Sequence, residues 1–367
     1  MVKLLFPSIG SSAKLPRQPN MDRLFRRVRN LLRHYSARAI SVAALKVIRD
    51  DVEAKDPMQR LRAAPWHTLL LVKWALRDSK LPLKKMDAAP EKFLHLLRQT
   101  LWTHAGAFSA GAANTLAMMR SYLGVQVDYQ RHRHHSFLRW PALIASRPDN
   151  SILRRQFRET LGLEPQEFID VVLALKTALI TSPAGISPDF FAPLADTHGR
   201  ALEAVRRLFV RTLEELRADL AEDSHPPNKT ELLEFPYFVR YPILHLDGRY
   251  HFWDPIVAEK AFERAVHLRL SSLKQEYSEQ FGRAFEDYVV ELLVEAGLVP
   301  VRDGAFRKLI GPTKNAEAIV CLGDANLIVE AKMGLFADPM LLKDNPRFLY
   351  EKFLPLRKAM RQGKDVS

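Results

Sequence analysis

The chain has 367 residues, 47% hydrophobic and 26% charged, which is typical of a globular protein of two or three domains and argues against a disordered chain. Its formal net charge of +13 favours a polyanionic partner; nucleic acid is the commonest such partner, and an anionic membrane surface is the alternative. The single cysteine, Cys321, excludes an internal disulfide and fits a reducing cytoplasm. No apolar run approaches the ~20 residues of a membrane span. We therefore expect a cytoplasmic protein that does not cross a membrane.

The first 225 residues divide into an arm and a helical domain. Residues 1–20 contain Pro7, Gly10, Pro16 and Pro19 and are predicted to be irregular. Residues 21–225 show apolar residues at helical spacing, interrupted by proline-containing breaks. After a first helix that begins at Met21, this spacing predicts helices over residues 58–78, 90–123, 150–160, 164–181 and 197–221.

Two arginine-rich segments of this domain are candidates for binding nucleic acid. Arg23, Arg26, Arg27 and Arg33 lie on the polar face of the first helix, opposite its apolar stripe. An ordinary solvated face and a membrane-surface helix are the alternatives there. Arg131 and Arg133 alternate with histidines in a second segment, which lacks the paired spacing of a zinc site and is better explained as a solvated or phosphate-binding basic patch. The helical domain could also contact a protein partner.

Residues 226–275 are predicted to form a β-hairpin and a helix that connect the helical domain to the last segment. A polar, proline-containing stretch at 222–229 marks the boundary. Aromatic and β-branched residues follow at 235–245 and 249–253, separated by Asp247 and Gly248, and Asp-Gly between two such runs is a strong hairpin signal. The helix is predicted over residues 256–273.

Residues 276–367 are predicted to contain a helix at 276–297, a strand at 298–302, a hairpin formed by 317–322 and 326–332, and a final helix at 339–361. A two-residue turn at Gly323 and Asp324 sets the register of that hairpin. Glu317 then lies directly opposite Glu330. Because side chains alternate along a strand, Lys332 shares the face of these two carboxylates.

This arrangement has a chemical consequence. Two carboxylates that face each other across a ladder repel, and a bound cation turns that repulsion into a site. Mg²⁺ prefers oxygen ligands of this kind. Lys332 is then placed to orient or deprotonate a water molecule, or to neutralise charge on a phosphoryl transition state.

The order of these motifs resembles that of the PD-(D/E)XK nuclease superfamily, over about the last hundred residues. Glu330, Ala331 and Lys332 match the Glu-X-Lys signature, Glu286 occupies the position of the family's helical acid, and Glu317 stands where the family usually has aspartate. The resemblance implies an α+β protein, in which a large all-α N-terminal region precedes a restriction-endonuclease-like αβββα domain at 276–367. It also implies hydrolysis of phosphodiester bonds, in DNA more than in RNA, with Mg²⁺ or Mn²⁺ as cofactor.

The resemblance assigns roles to particular residues. Glu317, Glu330 and Lys332 would be catalytic, and Glu286, Glu317 and Glu330 would hold the metal. Glu286 has an alternative interpretation as a solvated helix residue, because Asp287 and Glu291 beside it are also acidic. By analogy alone, a nuclease joined to a large helical domain suggests bacterial restriction or anti-phage defence.

Two departures from the family pattern leave alternatives open. Glutamate at 317 is one methylene longer than aspartate, which could shift a metal. The family core continues into another strand after the last helix, whereas this sequence ends at Ser367. The missing strand suggests a truncated product, or an edge strand donated by the hairpin at 235–253. A nuclease-like module without activity, which binds nucleic acid or assists assembly, is the alternative function.

Overall fold

The structure is a computed structural model that describes residues 21–53, 65–78, 86–109, 138–182, 185–222, 231, 237–302, 305 and 316–331. This part of the chain is mostly helical and carries two small three-stranded sheets, consistent with the predicted α+β class. No helix within it is long and apolar enough to cross a membrane.

The described helices, in chain order, are α1 (Met21–Leu32), α2 (Ala37–Glu53), α3 (Pro65–Arg77), α4 (Glu91–Ser109), α5 (Arg139–Ala145), α6 (Ile152–Leu161), α7 (Pro165–Thr181), α8 (Ala192–Phe209), α9 (Leu213–Glu222), α10 (Pro255–Leu270) and α11 (Lys274–Glu295). The strands are β1 (Val210–Arg211), β2 (Ile243–Leu246), β3 (Arg249–Phe252), β4 (Pro300–Arg302), β5 (Ala318–Cys321) and β6 (Asn326–Val329).

The predicted single helix over 197–221 is wrong, because β1 interrupts it. Val210 and Arg211 pair in parallel with Ile243 and Leu244 of β2. A new helix, α9, then starts at a capping box: the Thr212 amide donates to Glu215 Oε2 at 2.7 Å, and the Glu215 amide donates to Thr212 Oγ1 at 3.2 Å. The N-terminal region is therefore not purely helical, since it supplies one strand to a sheet.

The predicted hairpin around Asp247 and Gly248 is confirmed, but its strands are shorter than expected. Both turn residues have positive φ, 51° and 74°, as a tight hairpin turn with the right-handed twist of its strands requires. β2 and β3 pair with each other and β2 pairs with β1, in a sheet separate from β4–β5–β6. Within the part of the chain that the structure describes, the hairpin therefore donates no edge strand to the last sheet.

One hydrophobic core extends across the predicted boundary at residues 225–226. It runs from Val28 in α1 to Ala284 in α11, and it includes β2, β3 and α10. Tyr277 and Phe281, in the first half of α11, are buried in this core. The second half of α11 continues beyond the core and contacts β4. A single helix thus links the helical body to the last sheet.

The last sheet follows the predicted order of a helix and three strands. β5 pairs antiparallel with both β4 and β6, so that the three strands form a meander. Arg302 at the end of β4 donates to Asp287 of α11 at 2.8 Å, which ties the first strand to the helix. The predicted helix at 339–361 lies outside the described residues.

A buried carboxylate, Asp254, caps the N-terminus of α10. Its Oδ1 atom accepts hydrogen bonds from the amides of Ile256 and Val257, at 2.8 and 2.9 Å. Burial raises the pKa of Asp254 to about 6, although these hydrogen bonds lower it; nearby Asp51 raises it further. Ionisation in the folded state is therefore unfavourable. The stability that Asp254 contributes is complete below pH 3.8 and is lost as the pH rises through 6.

Asp254→Asn is expected to stabilise the protein at pH 8, because asparagine keeps the capping oxygen and carries no charge. The gain in the free energy of unfolding should be on the order of 2 kcal/mol at pH 8 and should vanish near pH 3.5. Urea denaturation at both pH values measures it, with Asp196→Asn, at an exposed position of α8, as control. An equal effect of Asp254→Asn at both pH values would show that ionisation is not the cause.

Candidate functional site

The hairpin of β5 and β6 has the predicted register. Ile319 pairs with Ile328, and the Leu322 amide donates to the Ala325 carbonyl at 2.8 Å, which closes the two-residue turn. Gly323 has a φ of 81°, a backbone conformation that glycine adopts without strain. The pairs end at Ala318 and Val329, and there the Glu317 amide also donates to the Val329 carbonyl at 2.9 Å, so the regular ladder stops at this point. Glu317 directly precedes this last pair on one strand, and Glu330 directly follows it on the other.

Burial differs between these two carboxylates and the alanines next to them. Ala316, Ala318 and Ala331 are buried, whereas Glu317 and Glu330 are half-buried. The Oε1 atom of Glu330 is itself shielded from solvent. Both residues therefore remain partly open to water.

Glu286 is half-buried on α11, and its two acidic neighbours have structural partners. Asp287 bonds to Arg302 and lies 3.6 Å from Arg147 Nη1, and Glu291 lies 3.3 Å from Arg147 Nη2. These ion pairs connect α11 to β4 and to the loop between α5 and α6.

The carboxylates of Glu286, Glu317 and Glu330 provide only part of what a divalent metal ion requires. Within the described ranges, no group of three or more His, Cys, Asp and Glu side chains is placed to hold a metal ion. Glu286, Glu317 and Glu330 therefore do not form a three-carboxylate group in this structure. Glu317 and Glu330, at the adjacent ends of β5 and β6, still offer the hard oxygen ligands that Mg²⁺ prefers. Mg²⁺ usually takes only one or two carboxylates beside water and phosphate. Lys332 lies outside the described residues.

The arginines predicted to bind nucleic acid differ in their surroundings. Arg23, Arg26 and Arg27 are exposed on one face of α1. Arg33 is half-buried and donates to Asn30 Oδ1 at 2.9 Å, and its Nη2 atom lies 3.5 Å from an Asp78 oxygen. Its charge is thus partly neutralised within the fold. Arg131 and Arg133 lie outside the part of the chain that the structure describes.

Two surface cavities were not anticipated from the sequence. One, of about 440 Å³, lies between the starts of α2 and α9 and the turn at Asp247. The other, of about 200 Å³, lies between the end of α8, residues 239–241 and α10. Tyr241, which lines the second, belongs to the aromatic run at 235–245 that predicts a strand, but it lies before the start of β2.

Comparisons with known proteins identify no relative of this chain. The chain matches no protein-family model, no curated protein and no solved structure.

Proposed function

We propose that the chain is a metal-dependent nuclease that hydrolyses phosphodiester bonds, with DNA as the favoured substrate. The observation that supports this proposal is the β5–β6 hairpin, whose last pair, Ala318 and Val329, is flanked by Glu317 and Glu330. Glu330 lies two residues before Lys332 in the sequence. The order of α11 and the three strands also agrees with the resemblance to PD-(D/E)XK nucleases. The resemblance and the analogy with bacterial restriction or anti-phage defence rest on the sequence.

Each group of the proposed site has a separate task. Glu317 and Glu330 would hold Mg²⁺ or Mn²⁺, with Glu286 as a further contributor on α11. The bound ion would supply a Lewis acid for the phosphoryl oxygens and would lower the pKa of a bound water molecule. Lys332 would orient or deprotonate the attacking water and neutralise negative charge that develops on the phosphate.

The test is incubation of the purified chain with plasmid and single-stranded DNA in the presence of Mg²⁺, Mn²⁺ or EDTA. We expect cleavage with either metal and none in EDTA. Glu317→Gln should abolish cleavage, whereas Asp324→Asn, at an exposed turn position of the same hairpin, should not. Cleavage that persists in EDTA, or in the Glu317→Gln protein, would contradict the proposed site.

A second candidate function is a nuclease-like module that binds nucleic acid without cutting it, or that assists assembly through a protein partner of the helical body. The absence of a three-carboxylate group among the described residues favours this candidate. Binding of DNA without cleavage under any metal would support it against the nuclease.

Nucleic-acid binding should weaken steeply with salt, because arginine contacts to phosphate release condensed counterions. Arg26→Ala/Arg27→Ala is expected to lower the slope of log affinity against log salt by about 2, since each lost phosphate contact lowers it by about 1. Fluorescence anisotropy with labelled DNA measures the slope. The control, Arg155→Ala/Arg200→Ala, removes the same charge from exposed positions on α6 and α8. Equal slopes for the two double variants would exclude α1 as a specific contact surface.

A further inference from the structure

The cavity of about 200 Å³ beside α10 has an apolar floor. Phe209 at the end of α8 and Ala261 and Ala265 of α10 form this floor, and all three are buried. The two small alanine side chains on consecutive turns of α10 leave room that larger residues would fill. Leu268, one turn further on, lies at the edge of the cavity and is 46% exposed. The cavity is therefore an open recess with an apolar floor, of the size of one ring system and smaller than a typical site for a whole cofactor.

Two arginines stand at the rim of this recess. Arg240 and Arg269 line the cavity and are exposed, and no aspartate or glutamate lines it. No ion pair joins either guanidinium to a carboxylate within the described ranges. The larger cavity differs, because its Arg38 is paired with Asp247 at 2.6 Å and Glu214 also lines it. The smaller cavity thus combines apolar surface with a positive rim.

The aromatic wall of the recess is Tyr241, which is held in place by Arg211. The Arg211 guanidinium lies over the Tyr241 ring, 4.1 Å from its centre. Arg211 is itself fixed by Asp219, at 3.2 Å, and by the Val210 carbonyl, at 2.8 Å. Tyr241 therefore occupies a preformed position, and a planar ligand would lose little free energy in ordering it.

We propose that this recess binds one unpaired nucleotide of a nucleic acid, with the base against Tyr241 and Leu268 and the flanking phosphates near Arg240 and Arg269. The inference rests on the proposed function for the identity of the ligand as nucleic acid. An unpaired base fits better than a duplex, because a paired base has its faces covered by its stacked neighbours. An anionic lipid carries negative charge as nucleic acid does, but Leu268 alone offers too little exposed apolar surface to anchor the protein to a membrane.

The test compares two fluorescent probes of equal length and charge in EDTA: a 12-nucleotide oligothymidine and a 12-unit oligomer without bases. The wild-type protein should bind the thymidine probe roughly tenfold more tightly, since stacking one base typically contributes this much. Leu268→Ser and Tyr241→Ala should remove that preference without changing the affinity for the baseless probe. Leu268 is partly exposed, so its replacement should leave the fold intact even if Tyr241→Ala does not.

Arg240→Ala/Arg269→Ala should weaken binding of both probes, and by more than Arg155→Ala/Arg200→Ala, which removes the same charge elsewhere. Equal wild-type affinity for the two probes would overturn the proposal. The proposal would also be overturned if the wild-type protein bound vesicles of anionic phospholipid but neither probe, and if Arg240→Ala/Arg269→Ala abolished the vesicle binding. Base-dependent binding without cleavage in Mg²⁺ or Mn²⁺ would refute the nuclease and support the recess. Cleavage together with equal binding of the two probes would refute the proposed recess and support the nuclease.

Discussion

Replacing Lys332 with alanine is expected to slow DNA cleavage by about 10²–10⁴-fold while DNA binding and folding remain unchanged. A positioned cation or proton-transfer group typically contributes that much to a transition state. The proposed role of Lys332 is confined to the chemical step, because Glu317 and Glu330 would hold the metal without it. The rate of plasmid nicking measures the effect, and anisotropy in EDTA measures binding separately.

A matched variant distinguishes the two tasks within the proposed site. Glu330→Gln should also abolish cleavage, but by loss of metal affinity, so that excess Mn²⁺ should restore part of the activity. Lys332→Ala should not be restored by any metal concentration. Asp324→Asn, at the exposed turn of the same hairpin, should cut like the wild type. If Lys332→Ala cuts as fast as the wild type, the proposed active site is wrong.

The register of the β5–β6 hairpin could be predicted because it depends on neighbours in the sequence. A two-residue turn with glycine at its first position permits one pairing, and the period of two along a strand then assigns each side chain to a face. Ile319 pairs with Ile328 as this reasoning requires. The same local signal located the turn at Asp247 and Gly248.

Features that depend on distant partners could not be predicted in this way. β1 is only two residues long and owes its extended shape to β2, more than 30 residues later. The capping box of Thr212 and Glu215 was visible in the sequence, but the continuous helical spacing concealed it. The recess beside α10 brings together α8, residues 239–241 and α10, which no periodicity relates. The same holds for the shared core, since apolar spacing identifies a buried face but not what covers it.

Glu231 is a further residue whose importance only the fold reveals. Its side chain is 3% exposed and contacts three residues of α3. Lys73 Nζ lies 3.1 Å from Oε2, Arg77 donates to Oε1 at 3.1 Å, and the Trp74 indole donates to Oε2 at 3.0 Å. One carboxylate thus compensates two cations whose side chains are only 12% and 6% exposed.

Glu231→Ala is expected to lower the free energy of unfolding by about 3–5 kcal/mol, because it leaves two buried cations without that carboxylate. Urea denaturation followed by circular dichroism measures the loss. Glu203→Ala is the control, since Glu203 pairs with Arg206 and Arg207 at the surface, where its side chain is 52% exposed, and should cost less than about 1 kcal/mol.

A triple variant, Lys73→Met/Arg77→Met/Glu231→Leu, separates the two causes of destabilisation. If uncompensated charge dominates, replacing all three groups with apolar side chains should recover most of the loss, because an apolar cluster of similar volume avoids the desolvation of ions. If the triple variant is as unstable as Glu231→Ala, the hydrogen bond from Trp74 and the local packing are the larger contributions. A Glu231→Ala protein no less stable than Glu203→Ala would show that the buried ion pairs do not stabilise this part of the fold.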